Sequence, residues 1–264
     1  HGEHGALFVW TPVYFTNDGN NIINTAYHQG EHSPRKLNHI QKRSVETGEV
    51  VKEVDVGTPS RFSDLQLTPD GKHLIVAKGA YFAVQIWDAE TLELIREIEV
   101  PHRGTSEEEP FKWITGINSA RLLSDKNILA VNVGLIKVNH NTGHTLLLYD
   151  FQTGEYMDEI IVNNRNRYID HIRATPDGKY LFAYPDGLTD SLYVINLESK
   201  KVVRSHEFMT KSLEDFALSP DGMKYMCSSD ISPNIYIYET YGNPFPKQID
   251  YRGGGTIRNI GFIA

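Results

Sequence analysis

One pattern recurs five times along the chain and constrains its fold more than any other feature. Each copy has a short apolar segment, a tight turn centred on aspartate and a second apolar segment, as in "LQLTPDGKHLIVAKG" and "HIRATPDGKYLFAYPDG". Pro-Asp-Gly suits such a turn, because proline presets φ, aspartate bonds its own backbone and glycine accepts a positive φ. The turn aspartates are Asp18, Asp70, Asp125, Asp177 and Asp221.

Two further segments follow most copies of this pattern. A third apolar segment, such as "AVQIWDAET" or "SLYVINLES", alternates with the period of two that is typical of strands, and a fourth segment such as "LELIREIEV" comes after it. The turn aspartates recur about every 50 residues, which is close to the length of one four-stranded propeller blade. We therefore predict an all-β chain that forms a β-propeller of four-stranded antiparallel blades, with about five complete blades.

The repeat also resembles a known family. "TPDGK" followed by an apolar strand, and then "VQIWDAETLELIREIEV" or "LYVINLESKKVV", is similar to the YVTN type of propeller repeat, a relative of WD repeats. The resemblance covers about residues 13–253. It implies the propeller fold and leaves function open, because propellers host many unrelated activities.

The C-terminal sequence "GGGTIRNIGFIA" reads as one more innermost strand. Two interpretations of this extra terminal strand stay open. It completes the ring by pairing with N-terminal residues such as "ALFVW", or the sequence is a fragment of a longer propeller. In either case we expect residues 1–264 to form a single propeller domain.

Composition excludes several classes of function. The formal net charge is −8, from 26 basic and 34 acidic residues, and the basic residues are scattered, so we expect no nucleic-acid partner. No apolar run is long enough to predict a membrane span. The one cysteine, Cys227, excludes an internal disulfide framework, and its strand context predicts a packed thiol.

A candidate ligand site comes from aligning the first strands of the blades on their turns. Innermost strands line the central channel, and alternation with period two points their polar residues to one side. Charged side chains then fall at two matched positions and predict a polar funnel for a small anionic ligand or for a protein partner, with arginine as the bidentate clamp. The alternative is that these charges pair with each other or with water. The predicted ligand-binding residues are Asp64, Arg121, His171, Arg173 and Asp215.

Histidines near the N-terminus give a second candidate site. "HGEHG" contains His1 and His4, and "HQGEH" contains His28 and His32. Imidazoles beside carboxylates suit a transition metal such as copper or zinc, so these four histidines are candidate metal ligands. Against this interpretation, spacing within a loop does not enforce a metal geometry as helical spacing does. Four other histidines, His102, His140, His144 and His206, lie between strands and are interpreted as surface or hydrogen-bonded residues.

The sequence leaves the biochemical class open. No nucleophile elbow, phosphate-binding loop, dinucleotide fingerprint or haem-attachment motif is present, so no catalytic residue is assigned. A ligand- or partner-binding propeller is the leading hypothesis. The alternative is an enzyme or enzyme subunit, either an oxidoreductase of the amine dehydrogenase or haem-d type or a lactonase, as the family resemblance implies. The resemblance and the scarcity of cysteine favour a periplasmic or secreted protein.

Overall fold

A computed structural model of the chain shows an all-β architecture. It describes residues 13–28, 37–56, 64–79, 82–101, 113–123, 127–136, 142–163, 169, 171–184, 191–207, 215–228, 234–241 and 247–250. Within these ranges the chain forms twenty strands and no α-helix. Accordingly, no helix in the described part of the chain could cross a membrane.

The strands form five four-stranded sheets, which we call blades 1 to 5. Blade 1 comprises β1 (Tyr14–Phe15), β2 (Asn21–His28), β3 (Leu37–Ser44) and β4 (Val50–Asp55). Blade 2 comprises β5 (Asp64–Leu67), β6 (His73–Lys78), β7 (Ala83–Asp88) and β8 (Leu94–Glu99). Blade 3 comprises β9 (Trp113–Leu123), β10 (Ile128–Ile136), β11 (Thr142–Asp150) and β12 (Tyr156–Asn163). Blade 4 comprises β13 (His171–Ala174), β14 (Tyr180–Tyr184), β15 (Ser191–Asn196) and β16 (Lys201–Glu207). Blade 5 comprises β17 (Asp215–Leu218), β18 (Lys224–Ser228), β19 (Asn234–Glu239) and β20 (Lys247–Asp250).

Each blade is an antiparallel meander in which every strand pairs with the next strand along the chain. The registers of different blades coincide. Ile86 lies opposite Arg96 in blade 2, just as Val194 lies opposite Arg204 in blade 4. Consecutive blades pack against each other, so the architecture is a β-propeller, and the predicted fold class is confirmed. The predicted extra terminal strand lies outside the described residues.

The aspartate turns join the first and second strands of the blades. In blade 2 the Thr68 hydroxyl lies 2.6 Å from Asp70 Oδ1, which also accepts the Lys72 backbone N–H at 3.1 Å. The Thr68 hydroxyl oxygen accepts the His73 N–H at 3.0 Å, and Gly71 has φ of +68°. A residue with a Cβ is strained at this φ, which accounts for the glycine in the motif. The same arrangement recurs at Thr16, Thr175 and Ser219, while the turn at Asp125 lies outside the described residues.

The hydrophobic core lies in the seams, the surfaces where two consecutive blades pack. Ile40 of blade 1 and Trp87 of blade 2 belong to one buried cluster, and Ile86 of blade 2 packs with Tyr149 of blade 3 in the next. Sheets that are apolar on both faces must be covered on both sides, which stacking in a propeller achieves. Cys227 is buried between blades 4 and 5, as predicted for a packed thiol.

Polar contacts reinforce the outer part of each seam. A side chain on the fourth strand of one blade bonds to the turn between the third and fourth strands of the next blade. Lys52 donates to the Thr91 carbonyl, Arg96 to the Gln152 carbonyl and Arg204 to the Thr240 carbonyl, while Asp158 accepts from Lys200. The repeat therefore positions not only the strands but also the contacts between blades.

Candidate functional site

The inner strands present a set of side chains at one repeated position. This position lies four residues before the turn aspartate, and it carries Tyr14, Gln66, Arg121, Arg173 and Ala217 in blades 1 to 5. Another polar position precedes it by two residues and carries Asp64, Ser119, His171 and Asp215 in blades 2 to 5. In each blade the inner strand pairs with the second strand in the same register, so equivalent residues occupy equivalent places around the axis.

Asp64 and Arg121 form a buried ion pair across the seam of blades 2 and 3. Both guanidinium Nη atoms donate to the carboxylate, Nη1 to Oδ2 and Nη2 to Oδ1, the latter at 2.9 Å. Asp64 Oδ2 also accepts the Ala120 backbone N–H at 3.3 Å. Such a bidentate pair is rigid and specific in geometry. These two predicted ligand-binding residues therefore come together, and each neutralises the other, as in the alternative interpretation of a polar channel.

Neutral hydrogen bonds continue this seam. Gln66 Oε1 accepts the Leu122 backbone N–H at 3.0 Å, so a second side chain of β5 bonds to the backbone of β9. The Tyr14 hydroxyl of blade 1 donates to the Leu65 carbonyl at 3.0 Å. The inner strands of blades 1, 2 and 3 are thus joined by side chains that satisfy backbone groups of the neighbouring strand.

Arg173 repeats the position of Arg121 one blade further on, but its surroundings differ. Arg121 pairs with Asp64 of the preceding blade. For Arg173, the residue at the corresponding position of the preceding blade is Ser119, which is neutral and fully buried. Arg173 is half-buried, and its Nη1 donates to the Ile172 carbonyl at 3.3 Å. In the part of the chain whose side chains are described, no carboxylate forms an ion pair with Arg173. Its positive charge is therefore not neutralised there.

The Tyr14 phenol reports the electrostatics of this inner region. Burial raises the pKa of Tyr14 above its ordinary value, and the charges of Arg121, Asp64 and Arg173 also act on it. The two arginines lower the pKa of Tyr14 and Asp64 raises it. Charged residues from blades 2, 3 and 4 therefore act on one tyrosine of blade 1. Among the described side chains, Asp64 pairs with Arg121, and no carboxylate pairs with Arg173.

The other predicted site residues are only partly within the described structure. His171 begins β13 and Asp215 begins β17, but their side chains lie outside the described part of the molecule. His28 ends β2, and its side chain also lies outside the described part of the molecule. His1, His4 and His32 lie wholly outside the described residues. Among the described residues, no three His, Cys, Asp or Glu side chains are grouped closely enough to hold a metal ion. The histidine site therefore stays a prediction.

Sequence patterns did not reveal two features of this region. Tyr14 was not predicted to line the site, although counting back four residues from Asp18 places it in register with Arg121. The second feature is an amide pair, because Asn118 and Asn132 both donate to the Ile169 carbonyl, at 2.8 and 2.7 Å. Nothing in the sequence pattern indicates that these two amides of blade 3 meet at a residue just before blade 4.

Comparison with known proteins identifies the fold. No family model matches the sequence. Among solved structures, the chain is similar to hydrazine synthase from Kuenenia stuttgartiensis, with a TM-score of 0.63 and 20% identity over 94% of this chain and 67% of that chain. Because 1338 chains of known structure match, the likeness is to a widely shared architecture. At this identity it supports the propeller fold alone.

Proposed function

We propose that this protein is a binding propeller that holds a small anionic ligand at Arg173, in the inner region lined by the first strands of its blades. One observation carries the proposal. Arg121 and Arg173 occupy equivalent positions, yet Arg121 has the carboxylate of Asp64 and Arg173 has the neutral Ser119 in the corresponding place. An anion bound at Arg173 supplies the negative charge that Asp64 supplies to Arg121 and that Ser119 does not supply to Arg173.

The chemistry of the guanidinium group supports an anion rather than a neutral ligand. Arginine presents a planar fork of donors that matches a carboxylate or phosphate, and it stays charged at all relevant pH values. Arg173 is half-buried, so its field is screened less than that of an exposed arginine. The seam of blades 2 and 3 contributes the Asp64–Arg121 pair, whose two charges neutralise each other. The ligand class that fits is a small carboxylate or phosphate.

Two further predicted residues are included in the proposed site because of their positions in the repeat. His171 and Asp215 are equivalent in the repeat to Asp64, which supports their placement near the same axis. A periplasmic or secreted location and membership of the YVTN type of repeat are also part of the proposal, on the strength of the repeat pattern and the single cysteine.

Isothermal titration with inorganic phosphate and with short mono- and dicarboxylates tests this function. Arg173→Gln should weaken binding by about 1.5–3 kcal/mol, the usual value of a hydrogen bond to a charged group. Arg204→Gln is the matched control, because Arg204 is also half-buried but bonds to the Thr240 carbonyl on the outer side of its blade. Equal binding by wild type, Arg173→Gln and Arg204→Gln would reject Arg173 as the binding residue.

A further inference from the structure

A cavity of about 550 Å³ lies between blades 2 and 3, next to the aspartate turn of blade 2. Sites for small molecules have volumes in this range. The cavity is separate from the inner region, because neither Arg121 nor Arg173 is among its described lining residues. Its lining includes Asp70, His73, Ile86 and Arg96 of blade 2, and Leu122 and Phe151 of blade 3.

Blade 3 also lines this cavity with Gln152, which holds the position of Tyr241 in blade 5. Backbone hydrogen bonds establish the correspondence. The N–H of Phe151 and the N–H of Thr240 each donate to the carbonyl just before the second strand of their own blade. Gln152 and Tyr241 are the residues that follow, so they occupy the same place in the turn between the third and fourth strands.

In the seam of blades 4 and 5, Tyr241 reaches across to the aspartate turn of blade 4. Its hydroxyl donates to Asp177 Oδ2 at 3.0 Å, and its ring lies edge-on to that of Tyr180, with the ring centroids 5.3 Å apart. Asp177 and Tyr180 are the counterparts of Asp70 and His73 in blade 2. Desolvation and the hydrogen bond to Asp177 raise the pKa of Tyr241 to about 12, so this phenol keeps its proton near neutral pH. The repeat therefore has room for a phenol beside the turn carboxylate.

Asp70 lacks the partner that Asp177 has. Its Oδ1 accepts the Thr68 hydroxyl and the Lys72 backbone N–H within the turn. Among the described residues, none donates a hydrogen bond to Oδ2 of Asp70. Gln152 has neither a ring nor a hydroxyl group, so this oxygen of a cavity-lining residue is available to a donor.

The seam of blades 1 and 2 also fills the corresponding place with a bonded pair. Lys42 Nζ lies 3.1 Å from the carboxylate of Glu90. Lys42 is the counterpart of Ile86 by strand register, and Glu90 is the counterpart of Gln152 by its place in the turn. In the seam of blades 2 and 3 these two positions carry an apolar side chain and a neutral amide, and the cavity lies there. A bound ligand would complete this seam as Tyr241 and Lys42 complete theirs.

Blade 5 shows that an occupant at this place is compatible with the aspartate turn of its own blade. Turn residues 220–222 are described, and Tyr241 binds Asp177 in their presence. The turn of blade 3, residues 124–126, lies outside the described residues but has the same length. We therefore expect it to leave the same space.

The lining favours a neutral aromatic ligand that carries a hydrogen-bond donor. The apolar wall includes Ile86 and Phe151, and the Phe151 ring lies edge-on to His73 with the centroids 5.4 Å apart. Aromatic rings pack well against such a wall. Arg96 and Asp70 bring opposite charges to the cavity, so a neutral ligand is favoured over an ion of either sign.

We propose that this cavity binds a small phenol, whose ring packs against Phe151 and whose hydroxyl donates to Asp70 Oδ2 as that of Tyr241 does in blade 5. The phenol supplies both the ring and the donor that Gln152 lacks. The ligand class is thus a hydroxylated aromatic compound, which differs from the anion proposed at Arg173. Neither proposal depends on the other, because they concern different side chains in different parts of the blades.

Titration of the wild type with phenol and with benzene, followed by ligand-observed NMR, tests the role of the donor. The two rings are the same, and only phenol has the hydroxyl group. Phenol should bind at least about tenfold more tightly than benzene, because its hydroxyl gains a hydrogen bond to a carboxylate. Equal affinities, or no binding of phenol at concentrations that leave the protein folded, would overturn the proposal.

Gln152→Tyr should fill the cavity from within. The introduced ring takes the place of the ligand and donates to Asp70, so phenol should bind at least about tenfold more weakly. Gln248→Tyr is the matched control, because it makes the same substitution at an exposed residue of blade 5 outside the cavity, and it should leave phenol binding unchanged. Urea denaturation checks that both variants are folded. Wild-type affinity for phenol in a folded Gln152→Tyr variant would overturn the proposal.

Asp70→Asn gives a second test that does not rely on filling the cavity. The one oxygen of the amide is needed in the turn, so an NH₂ group, which cannot accept a hydrogen bond, takes the place of Oδ2. Phenol should then bind about as weakly as benzene. Asp177→Asn changes an equivalent turn aspartate that does not line the cavity, and it should leave phenol binding unchanged. Equal phenol binding by the two folded variants would also overturn the proposal.

Discussion

Arg121 on the inner strand of blade 3 donates both of its Nη atoms to the carboxylate of Asp64 on the inner strand of blade 2. Both side chains are buried, so water cannot take the place of either partner. The desolvation of two such charges is offset only while both partners are present. This pair therefore determines how the seam between blades 2 and 3 responds to substitution.

Arg121→Met should lower the free energy of unfolding by about 3–5 kcal/mol, because it leaves the Asp64 carboxylate buried without its partner. The double variant Asp64→Leu/Arg121→Met should recover most of this loss, since replacing both partners by apolar groups is close to neutral. Urea denaturation measures both effects through the midpoint, provided that the m-value is unchanged.

Arg173→Met is the matched control for that experiment. Arg173 is half-buried and forms no ion pair in the described part of the chain, so its loss should change stability by less than about 1 kcal/mol. If Arg121→Met and Arg173→Met proved equally mild, the buried pair would not stabilise the seam.

The turn threonines should contribute to stability through their hydroxyl groups. Thr68 is buried, and its hydroxyl bonds to Asp70 and to the backbone at His73. Thr68→Val keeps the shape and removes these bonds, and should lower the free energy of unfolding by about 1–3 kcal/mol. Thr47→Val, at an exposed turn residue, is the control and should have little effect in the same denaturation experiment.

Acid should destabilise the protein through these same turns. Hydrogen bonds from the hydroxyls of Thr16, Thr68 and Ser219 lower the pKa values of Asp18, Asp70 and Asp221. A carboxyl whose pKa is lower in the folded state stabilises the fold above its unfolded pKa of about 4, and this contribution is lost as the pH falls through the folded pKa. The urea midpoint should therefore be flat near neutrality and fall below about pH 4.

Asp70→Asn provides the comparison for the acid effect. The amide cannot titrate, so the variant should be less stable near neutral pH and should lose less stability than the wild type on acidification. Glu93→Gln changes the same charge at an exposed residue outside the aspartate turns and serves as the control. If the urea midpoints of Asp70→Asn and wild type fell in parallel with pH, Asp70 would not contribute to the loss of stability in acid.

The sequence alone was sufficient to predict the blades, because the turn chemistry is local. Thr68, Asp70 and Gly71 bond to one another within a few residues, and the period of the following strands identifies a sheet. The same alignment placed Asp64 and Arg121 on matched inner strands. It could not determine that they pair, since a contact between residues 57 positions apart depends on how two blades stack.

Other parts of the site depend on features that the repeat does not encode. Tyr14 belongs to the most divergent copy of the turn, "VYFTNDG", and its role follows only from its contact with Leu65 of the next blade. Ser119 occupies in blade 3 the position that Asp64 occupies in blade 2, and its lack of a carboxylate becomes meaningful only after Asp64 and Arg121 are seen in contact. Before that, Ser119 is one small polar residue among many.

The central claim is that the neutral Ser119 leaves Arg173 able to bind an anion, and Ser119→Asp tests it most directly. This substitution introduces the carboxylate that blade 2 has at Asp64. Titration of wild type and Ser119→Asp with phosphate and small carboxylates, with urea denaturation as a check on folding, measures the effect. We predict that Ser119→Asp remains folded and binds the anion at least about tenfold more weakly, because the new carboxylate then neutralises Arg173. Anion binding by a folded Ser119→Asp variant with wild-type affinity would contradict the account.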